Sequence, residues 1–339
     1  MMIIPVKTSL GGYDIILERG AIARIKEFID LSGKTLIVTD DGVPKQYSET
    51  VASQCINPYI VCLKQGEGSK NLANFEHLLA KLVEYGFTRT DRIIAVGGGV
   101  VGDLAGFTAS AYMRGIEFIN VPTTLLSQID SSIGGKTAVD FMGLKNIVGA
   151  FYPPKKVVID PNAIKTLDKR QVSNGLAEAL KMSLTHDKTL FEIFESCDVN
   201  ECIPQIIERS LMIKKSVVER DEKESGLRRV LNFGHTLAHG IESTAEFSKY
   251  LHGECVAMGM IPMCSESVRG RLVNVLKKLS LPYEFDEIDV DAVISASAHD
   301  KKLSGSDITL VLVDEIGSFE LQKVPFAEYE KMIRKAIFK

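Results

Sequence analysis

The chain has 339 residues, which is long for a single hydrophobic core and typical of two domains. Its 45% hydrophobic and 25% charged residues indicate a globular protein, and a net charge of -4 gives no general attraction for nucleic acid or anionic membranes. No apolar run is long enough to span a membrane, and the first ten residues lack a signal-peptide pattern. The six cysteines form no CxxC pair, so we expect reduced core thiols and a cytoplasmic protein.

The first half of the chain alternates β-branched runs with helical segments. Strands are predicted at YDIILERG, KTLIVTDD, YIVCLK, RIIAV, EFINVPTTLL and KVVID, with helices from Ala21 to about Leu31 and near Asn71–Tyr85. This alternation predicts a Rossmann-like parallel sheet with helices on both faces. Ligands of such sheets bind at the carboxyl ends of the strands. Polar residues at these ends are Asp40, Glu67, Lys70, Asp103, Thr123 and Thr124.

A glycine motif follows the predicted strand RIIAV. Gly97, Gly99 and Gly102 fit G-x-G-x-x-G, and backbone amides at the amino end of the next helix can hold a pyrophosphate. The usual dinucleotide fingerprint lies on the first strand and has an acid about twenty residues later, whereas this chain has Asn120 and no acid in FINVPT. We therefore predict a nucleotide-phosphate loop of unusual position; a purely structural tight turn is the alternative.

The segment SQIDSSIGGKTAVDFMGLKNIVGAFYPP is polar and rich in glycine. Such a run inside a compact domain is uncommon unless it is functional. Lys136 follows paired glycines and can meet a phosphate as a point charge. Asp130, Lys145 and Asn146 add donors and acceptors nearby. We predict that this segment contributes to a binding site.

After Pro161 the hydrophobic period becomes helical. Helices are predicted at NGLAEALKMSLT, KTLFEIFES, IIERSLMIKKSVVERDEK and VLNFGHTLAHGIES, and almost no strand is indicated before ITLVLVDEIG. A mostly helical second domain is therefore expected, with the boundary near residue 160.

Three of the six histidines lie in the segment from residue 228 to residue 254. His235 and His239 are four residues apart and share a helix face, and His252 can fold back toward them. Catalytic zinc takes three protein ligands and keeps one position open, so the cluster suits a divalent metal. Spacing alone makes His235 and His239 the metal pair; the alternative is two ordinary polar residues on a buried helix.

Several long motifs together indicate a known family. They are, in order, GGGVVGDLAGFTASAYMRGI, VPTTLLSQIDSSIGGKTAVD, KNIVGAFYPP, GLAEALK, DEKESGLRRVLNFGHTLAHGIE, HGE and DKK. Over nearly the whole chain the sequence resembles the 3-dehydroquinate synthases, a family of sugar-phosphate cyclases. The resemblance implies an NAD-binding α/β domain at residues 1–160, a mostly α-helical metal- and substrate-binding domain at 161–339, and an active site in the cleft between them.

The resemblance also implies a reaction, in which 3-deoxy-D-arabino-heptulosonate 7-phosphate becomes 3-dehydroquinate and phosphate in the shikimate pathway. Transient oxidation by NAD, phosphate elimination, re-reduction, ring opening and aldol closure make the enzyme a lyase without net redox change. NAD and zinc or cobalt are the implied cofactors. Three alternatives stay open: a metal- and NAD-dependent polyol dehydrogenase, another sugar-phosphate cyclase, and a binding module without chemistry.

Residue roles follow from the resemblance. Glu178, which with Lys181 would by itself be interpreted as a solvated ion pair, becomes a metal ligand with His235 and His252, and His239 becomes a phosphate contact. The implied NAD contacts are Asp40, Glu67, Lys70, Gly98, Gly99, Asp103, Thr123, Thr124, Leu126, Asp130, Lys136, Lys145 and Thr166. The implied substrate contacts are Arg114, Asp130, Lys136, Asn146, Lys181, Lys214, Arg228, Asn232, His239 and Lys302. The implied catalytic residues are Lys136, Lys181, Lys214, Glu224, Arg228, Asn232 and His239.

Arg114 is implied to reach the site of a neighbouring subunit, so the resemblance predicts a homodimer. The chain departs from the family pattern at a few positions. Gln65 stands where the family has proline, and Gly42 where an asparagine often helps to hold the nucleotide. Ala238 and Gly240 replace the usual glycine and alanine. These exchanges bear on nucleotide affinity and on helix packing.

Overall fold

The chain forms two compact units, Met1–Asp168 and Lys169–Lys339. The computed structural model describes residues 1–9, 11–244, 249–286, 288–299 and 307–337. The division lies after the boundary expected near residue 160, because Ala163 in the 3₁₀-helix Pro161–Thr166 belongs to the hydrophobic core of the first unit. Among the described residues no helix has the length and apolarity needed to cross a membrane.

The first unit is an α/β structure. Its strands are β1 (Met2–Val6), β2 (Tyr13–Leu17), β3 (Lys34–Asp40), β4 (Asn57–Leu63), β5 (Arg92–Gly97), β6 (Glu117–Pro122), β7 (Lys136–Phe141), β8 (Leu144–Phe151) and β9 (Lys156–Ile159). Its α-helices are α1 (Lys45–Ala52), α2 (Leu72–Glu84) and α3 (Gly99–Ala111). The shorter elements are 3₁₀-helices at Ala21–Glu27, Glu67–Ser69, Tyr112–Arg114 and Pro161–Thr166, and a π-helical turn at Ser127–Ser131.

Seven of these strands form one sheet in the order β1-β2-β9-β6-β5-β3-β4. All neighbouring pairs are parallel except β1 and β2. Side chains of β3 alternate between two cores: Leu36 and Val38 pack with α2 and α3, whereas Ile37 packs with α1 and the first 3₁₀-helix. The predicted parallel sheet with helices on both faces is confirmed.

Three local features differ from the sequence-based predictions. The segment that begins at Ala21 is a 3₁₀-helix that ends at Glu27 and is interrupted at Arg24, whose φ of -127° is not helical. Strand β1 was not predicted; Pro5 lies within it, and proline is tolerated because β1 is an edge strand. The polar segment before residue 154 contains the antiparallel β7–β8 hairpin, whose turn has positive φ at Met142 and Gly143.

The second unit is mostly helical. Its helices are α4 (Lys169–His186), α5 (Lys188–Ser196), α6 (Val199–Arg220), α7 (His235–Thr244), α8 (His252–Met260), α9 (Glu266–Lys278), α10 (Val290–His299) and α11 (Phe326–Ile337). Strands β10 (Asp307–Leu312) and β11 (Glu320–Pro325) form a hairpin, and 3₁₀-helices lie at Leu227–Asn232 and Ile261–Met263.

Two glycines position the helices that carry the histidines. The single helix predicted for VLNFGHTLAHGIES is broken at Gly234, whose φ of 78° favours glycine, so α7 begins at His235. Gly253 lets α8 approach α4 closely: its N–H donates to Asn174 Oδ1 at 2.6 Å, and a Cβ atom there would overlap the Asn174 carbonyl oxygen. The break and the close approach place His235 and His252 at the first residues of neighbouring helices.

Candidate active site

Three side chains of the second unit converge on one point. Glu178 lies in the buried part of α4, and His235 and His252 begin α7 and α8. One ligand atom from each residue lies within 4.8 Å of the others. Nε2 of His235 is 3.6 Å and Nε2 of His252 is 3.5 Å from Glu178 Oε1. Tetrahedral zinc with ligands at about 2.0–2.2 Å holds its ligand atoms roughly 3.4 Å apart, so the arrangement fits such an ion.

The outer nitrogens of both imidazoles are held by hydrogen bonds. Nδ1 of His235 lies 3.1 Å from the Phe233 carbonyl oxygen, and Nδ1 of His252 lies 2.7 Å from Glu242 Oε1. With the proton on Nδ1, each Nε2 lone pair is directed into the cluster, as in carboxylate–histidine–zinc arrangements. Sequence reasoning assigned Glu242 no role. Helical spacing could have indicated a role for Glu242, because it is at i+7 from His235 and therefore on the same helix face.

Glu178 places a buried negative charge at the centre of the site. It is 1% exposed, contacts Lys181 in a buried ion pair, and faces Nε2 of both histidines. Burial alone would raise the pKa of Glu178, but Lys181 and the two histidines hold it well below its usual value. A buried carboxylate that is held ionised in this way is suited to bind a cation. The interpretation of Glu178 and Lys181 as a solvated surface pair is therefore wrong.

The two histidines differ in protonation, which leads to a prediction about metal binding. Burial and the Lys181 charge lower the pKa of His235 to about 3. For His252, burial lowers the pKa, but hydrogen bonds to Glu178 and Glu242 outweigh it and raise the pKa to about 9. Only His252 is then protonated at neutral pH, so zinc binding should release about one proton, and affinity should rise with pH until His252 is deprotonated. Calorimetry in buffers of different ionisation enthalpy measures the release; a value near zero or two contradicts the assignment.

The remaining predicted residues of the second unit lie on several elements: Lys181 on α4, Lys214 on α6, Glu224 in the turn after α6, Arg228 and Asn232 on the 3₁₀-helix Leu227–Asn232, and His239 on α7. The His239 ring centroid is 5.6 Å from that of His235 and 6.5 Å from that of His252, so His239 borders the cluster. Asn232 Nδ2 donates to Glu224 Oε1 at 2.6 Å. Lys214 and Arg228 are buried cations, at 4% and 2% exposure. Lys302 lies outside the described residues.

In the first unit, strand order explains the unusual position of the glycine motif. The chain passes from β3 outward to β4 and then returns to β5 on the other side of β3. The carboxyl ends of β3 and β5 therefore flank a topological switch point, where open α/β sheets bind ligands. Asp40 ends β3, and Gly98 and Gly99 connect β5 to the amino end of α3. The amides and dipole of this helix suit a pyrophosphate.

Lys70 connects the loop after β4 to α3. Its Nζ lies 3.1 Å from Glu67 Oε1 and 3.1 Å from Asp103 Oδ2. Burial lowers the pKa of Lys70, but the two carboxylates outweigh it and raise the pKa to about 12, while burial raises that of Asp103 to about 6. Glu67, Lys70 and Asp103 thus form one cluster, one helical turn from Gly99.

Other predicted residues of the first unit surround the strand ends. Thr123 donates its N–H to the Gly97 carbonyl oxygen, and Thr124 Oγ1 accepts from Ser127 N–H at 3.1 Å. Leu126 immediately precedes the π-helical turn that carries Asp130. Thr166 Oγ1 lies 3.1 Å from the hydroxyl of Tyr47 on α1, the helix that follows β3.

The remaining predicted residues of the first unit lie on the β7–β8 hairpin and in the 3₁₀ turn after α3. Lys136 begins β7 and lines a pocket with Asp103. Lys145 and Asn146 are exposed on β8, and Asn146, with φ 56°, donates its N–H to Asp140 Oδ1 at 2.8 Å. Arg114 is exposed and has φ 67°.

If the amino end of α3 binds the phosphates of NAD, replacing Gly99 by valine is expected to weaken NAD+ binding at least about tenfold, because the side chain would cover the amides there. A Cβ atom on Gly99 would lie 3.1 Å from Ser131 Oγ. Fluorescence titration with NAD+ measures the affinity. Gly270→Val, on α9 with no heavy atom within 4 Å of its added Cβ, is the matched control. Equal NAD+ affinity in the two variants contradicts the assignment.

Comparisons with known proteins agree with the motifs. The N-terminal model of 3-dehydroquinate synthase matches residues 60–174, and the C-terminal model matches residues 175–303. The 3-dehydroquinate synthase of Clostridium acetobutylicum is 40% identical, covering 98% of this chain and 99% of its own. The chain belongs to the 3-dehydroquinate synthase family. A further 3-dehydroquinate synthase, from Streptococcus thermophilus, is 39% identical over 95% of this chain and 97% of its own.

Solved structures show the same fold. The 2-deoxy-scyllo-inosose synthase complexed with carbaglucose-6-phosphate, NAD+ and Co2+ has a TM-score of 0.89 at 25% identity, covering 99% of this chain and 100% of that one. The 2-epi-5-epi-valiolone synthase from Streptomyces hygroscopicus, with NAD+ and Zn2+ bound, has a TM-score of 0.86 at 27% identity, covering 99% of each chain. A probable glycerol dehydrogenase from Sinorhizobium meliloti, with a TM-score of 0.57 at 16% identity over 84% of this chain and 88% of its own, shares the fold alone. The predicted family is confirmed, and the polyol dehydrogenase alternative is not favoured.

Proposed function

We propose that the protein converts 3-deoxy-D-arabino-heptulosonate 7-phosphate to 3-dehydroquinate and phosphate, as a phosphate-eliminating lyase of the shikimate pathway. The observation that carries this proposal is the Glu178, His235 and His252 cluster, in a chain that matches 3-dehydroquinate synthases over nearly its whole length. A buried carboxylate that faces two oriented imidazoles is a typical donor set for a divalent metal.

Zinc or cobalt is the proposed metal. Glu178, His235 and His252 supply one oxygen and two nitrogen donors, a set that leaves coordination positions for a ligand. Glu242 and the Phe233 carbonyl hold Nδ1 of the two imidazoles, so that Nε2 of each ring faces the cluster and can bind the ion once His252 has lost a proton. Lys181 helps to keep Glu178 ionised. When bound, the ion would act as a Lewis acid toward substrate hydroxyl oxygens.

NAD is the proposed organic cofactor, held by the first unit. The amino end of α3 is positioned for the pyrophosphate, and Asp40 at the end of β3 for a ribose hydroxyl. Lys70 forms ion pairs with Glu67 and Asp103, and these three residues border the proposed site. When bound, the nicotinamide would accept a hydride from the substrate and return it, so that no net oxidation results.

The substrate is proposed to be a sugar acid phosphate, which carries two anionic groups, a carboxylate and a phosphate. Lys214 and Arg228 are cations that are both nearly fully buried, and Arg228 Nη1 donates to the Glu222 carbonyl oxygen at 2.6 Å. We assign them to the substrate carboxylate, which arginine can hold with two hydrogen bonds. Lys136, Asn146, His239 and Lys302 are assigned to the phosphate. The proposed role of the remaining residues is to orient the substrate while its own phosphate takes the proton in elimination.

We also propose a cytoplasmic homodimer. Arg114 is exposed and has a positive φ of 67°, a conformation that costs free energy and persists only where the surrounding structure imposes it. We propose that this conformation directs Arg114 toward the substrate phosphate of a neighbouring subunit.

The proposal is tested by incubating the purified protein with zinc and catalytic NAD+, and following inorganic phosphate and NADH absorbance together. We expect phosphate release from the heptulosonate phosphate without accumulation of NADH. Sedoheptulose 7-phosphate and glucose 6-phosphate, which lack the carboxylate, serve as matched substrates and should react far more slowly. Steady NADH production would indicate a dehydrogenase, and preference for a sugar phosphate without the carboxylate would indicate a different cyclase.

A further inference from the structure

Three residues on one face of α4 contact three consecutive residues at the start of α8. The residues on α4 are spaced four apart and therefore lie along a single stripe of the helix: Arg170, Asn174 and Glu178. Their partners on α8, in the same order, are Glu254, Gly253 and His252. One end of the stripe is thus part of the candidate metal site, and the other end is an ion pair.

The ion pair joins α4 to α8 through two parallel hydrogen bonds. Arg170 Nε donates to Glu254 Oε1 at 2.6 Å, and Arg170 Nη2 donates to Glu254 Oε2 at 2.7 Å. The N–H of Leu251, the residue before α8, also donates to Glu254 Oε2 at 2.8 Å. This N–H is one of the amides that a helix leaves unpaired at its amino end. The carboxylate of Glu254 therefore binds α4 and the first turn of α8 at the same time.

Arg170 makes a further contact on the other side of His252. Its Nη2 donates to the carbonyl oxygen of Lys249 at 2.8 Å. Lys249 lies three residues before His252, and Glu254 lies two residues after it. One guanidinium group thus holds the chain on both sides of the histidine.

We propose that Arg170 is a positioning residue for the metal site, which holds Lys249 and Glu254 and thereby fixes His252 against the face of α4 that carries Glu178. Arg170 is about 12 Å from Glu178 along the helix axis, so it acts through α8 rather than as a ligand. Zinc ligands must stay within about 0.2 Å of their preferred distances, and a small shift of α8 would therefore weaken binding. The inference rests on the proposed metal site of the second unit.

The first test is Arg170→Ala. We expect the Kd for zinc to rise about three- to tenfold, less than the 10- to 100-fold usual for a group bonded directly to a ligating histidine. The side chain of Arg170 is 55% exposed, so its removal leaves no closed cavity. Competition with a zinc-binding dye measures the affinity. Arg170→Lys, which keeps the charge but cannot form both parallel bonds, should recover only part of it.

The matched control is Arg271→Ala. Arg271 on α9 forms the same kind of two-bond pair with Glu195 on α5, at 2.8 and 2.6 Å, and its side chain is 43% exposed. Neither of these helices carries a proposed metal ligand. Thermal unfolding of both variants without zinc measures the general loss of stability. Arg271→Ala should bind zinc like the wild type even if the two variants unfold at the same temperature.

The second test combines Arg170→Ala with Glu254→Gln. Glutamine keeps the size of Glu254 and an acceptor for the N–H of Leu251, but it loses the charged pair with Arg170. We expect Glu254→Gln alone to weaken zinc binding about as much as Arg170→Ala. The double variant should show no additional loss, because both changes remove one interaction.

The outcomes separate this inference from the proposed function. If the wild type binds zinc no more tightly than His252→Ala, the proposed metal site fails, and the role of Arg170 fails with it. If the wild type binds zinc more tightly than His252→Ala and Arg170→Ala equals the wild type, only the role of Arg170 is overturned. An equal loss in Arg271→Ala, or additive losses in the double variant, would also overturn it.

Discussion

Replacement of His252 by alanine is expected to abolish zinc binding and to lower kcat at least about a thousandfold, with the fold preserved. Its Nε2 lies 3.5 Å from Glu178 Oε1, so the variant loses one of three metal ligands. The side chain is 34% exposed, and its removal therefore leaves a gap open to solvent rather than a closed cavity. Zinc content after gel filtration, turnover and thermal unfolding are the measurements.

The matched control is His77→Ala, because His77 is an exposed histidine on α2 in the first unit. Its zinc content, kcat and unfolding temperature should equal those of the wild type. Both proteins are stripped with a chelator and then given equal zinc. Wild-type turnover by the His252 variant after this treatment would remove His252 from the metal site.

Replacement of Glu242 by glutamine is expected to weaken zinc binding about 10- to 100-fold, the usual effect of losing a carboxylate behind a ligating histidine. Glu242 is buried and its Oε1 lies 2.7 Å from Nδ1 of His252. Glutamine keeps the size and removes the charge, so the basicity of the imidazole falls while its packing is retained. Competition with a zinc-binding dye measures the affinity.

The same variant has a second readout that a purely structural role would not change. The Glu242 hydrogen bond is one cause of the raised pKa of His252. With glutamine this pKa should fall, and zinc binding at neutral pH should then release less than the proton expected for the wild type. Glu76→Gln, exposed on α2, is the control. Unchanged affinity together with unchanged proton release would show that Glu242 does not support the metal site.

The fold was predictable from the sequence where the local hydrophobic pattern distinguishes a strand from a helix. Buried parallel strands such as β3 and β5 are continuous apolar runs, and amphipathic helices such as α2 repeat at 3.6 residues. Strands β7 and β8 were missed because polar residues and glycines hide their alternation, although the Met142–Gly143 turn between them was a hairpin signal. The 3₁₀ character after Ala21 has no sequence period that separates it from an α-helix at that length.

The site was predictable only in part from local spacing. Helical spacing correctly places His235 near His239, but it made them the metal pair, whereas the cluster comprises Glu178, His235 and His252. Glu178 is distant in sequence, and only the packing of α4 against α8 brings it to the histidines. The family resemblance supplied what spacing could not. Likewise, the position of the glycine motif became intelligible only from the strand order, since adjacency of β3 and β5 is a property of the whole sheet.

Crystals grown with zinc and measured on both sides of the zinc absorption edge test the central claim most directly. We predict one anomalous peak in the second unit, about 2.0–2.2 Å from Nε2 of His235, Nε2 of His252 and a carboxylate oxygen of Glu178. A zinc ion bound by other residues, with these three side chains left uncoordinated, would contradict the account.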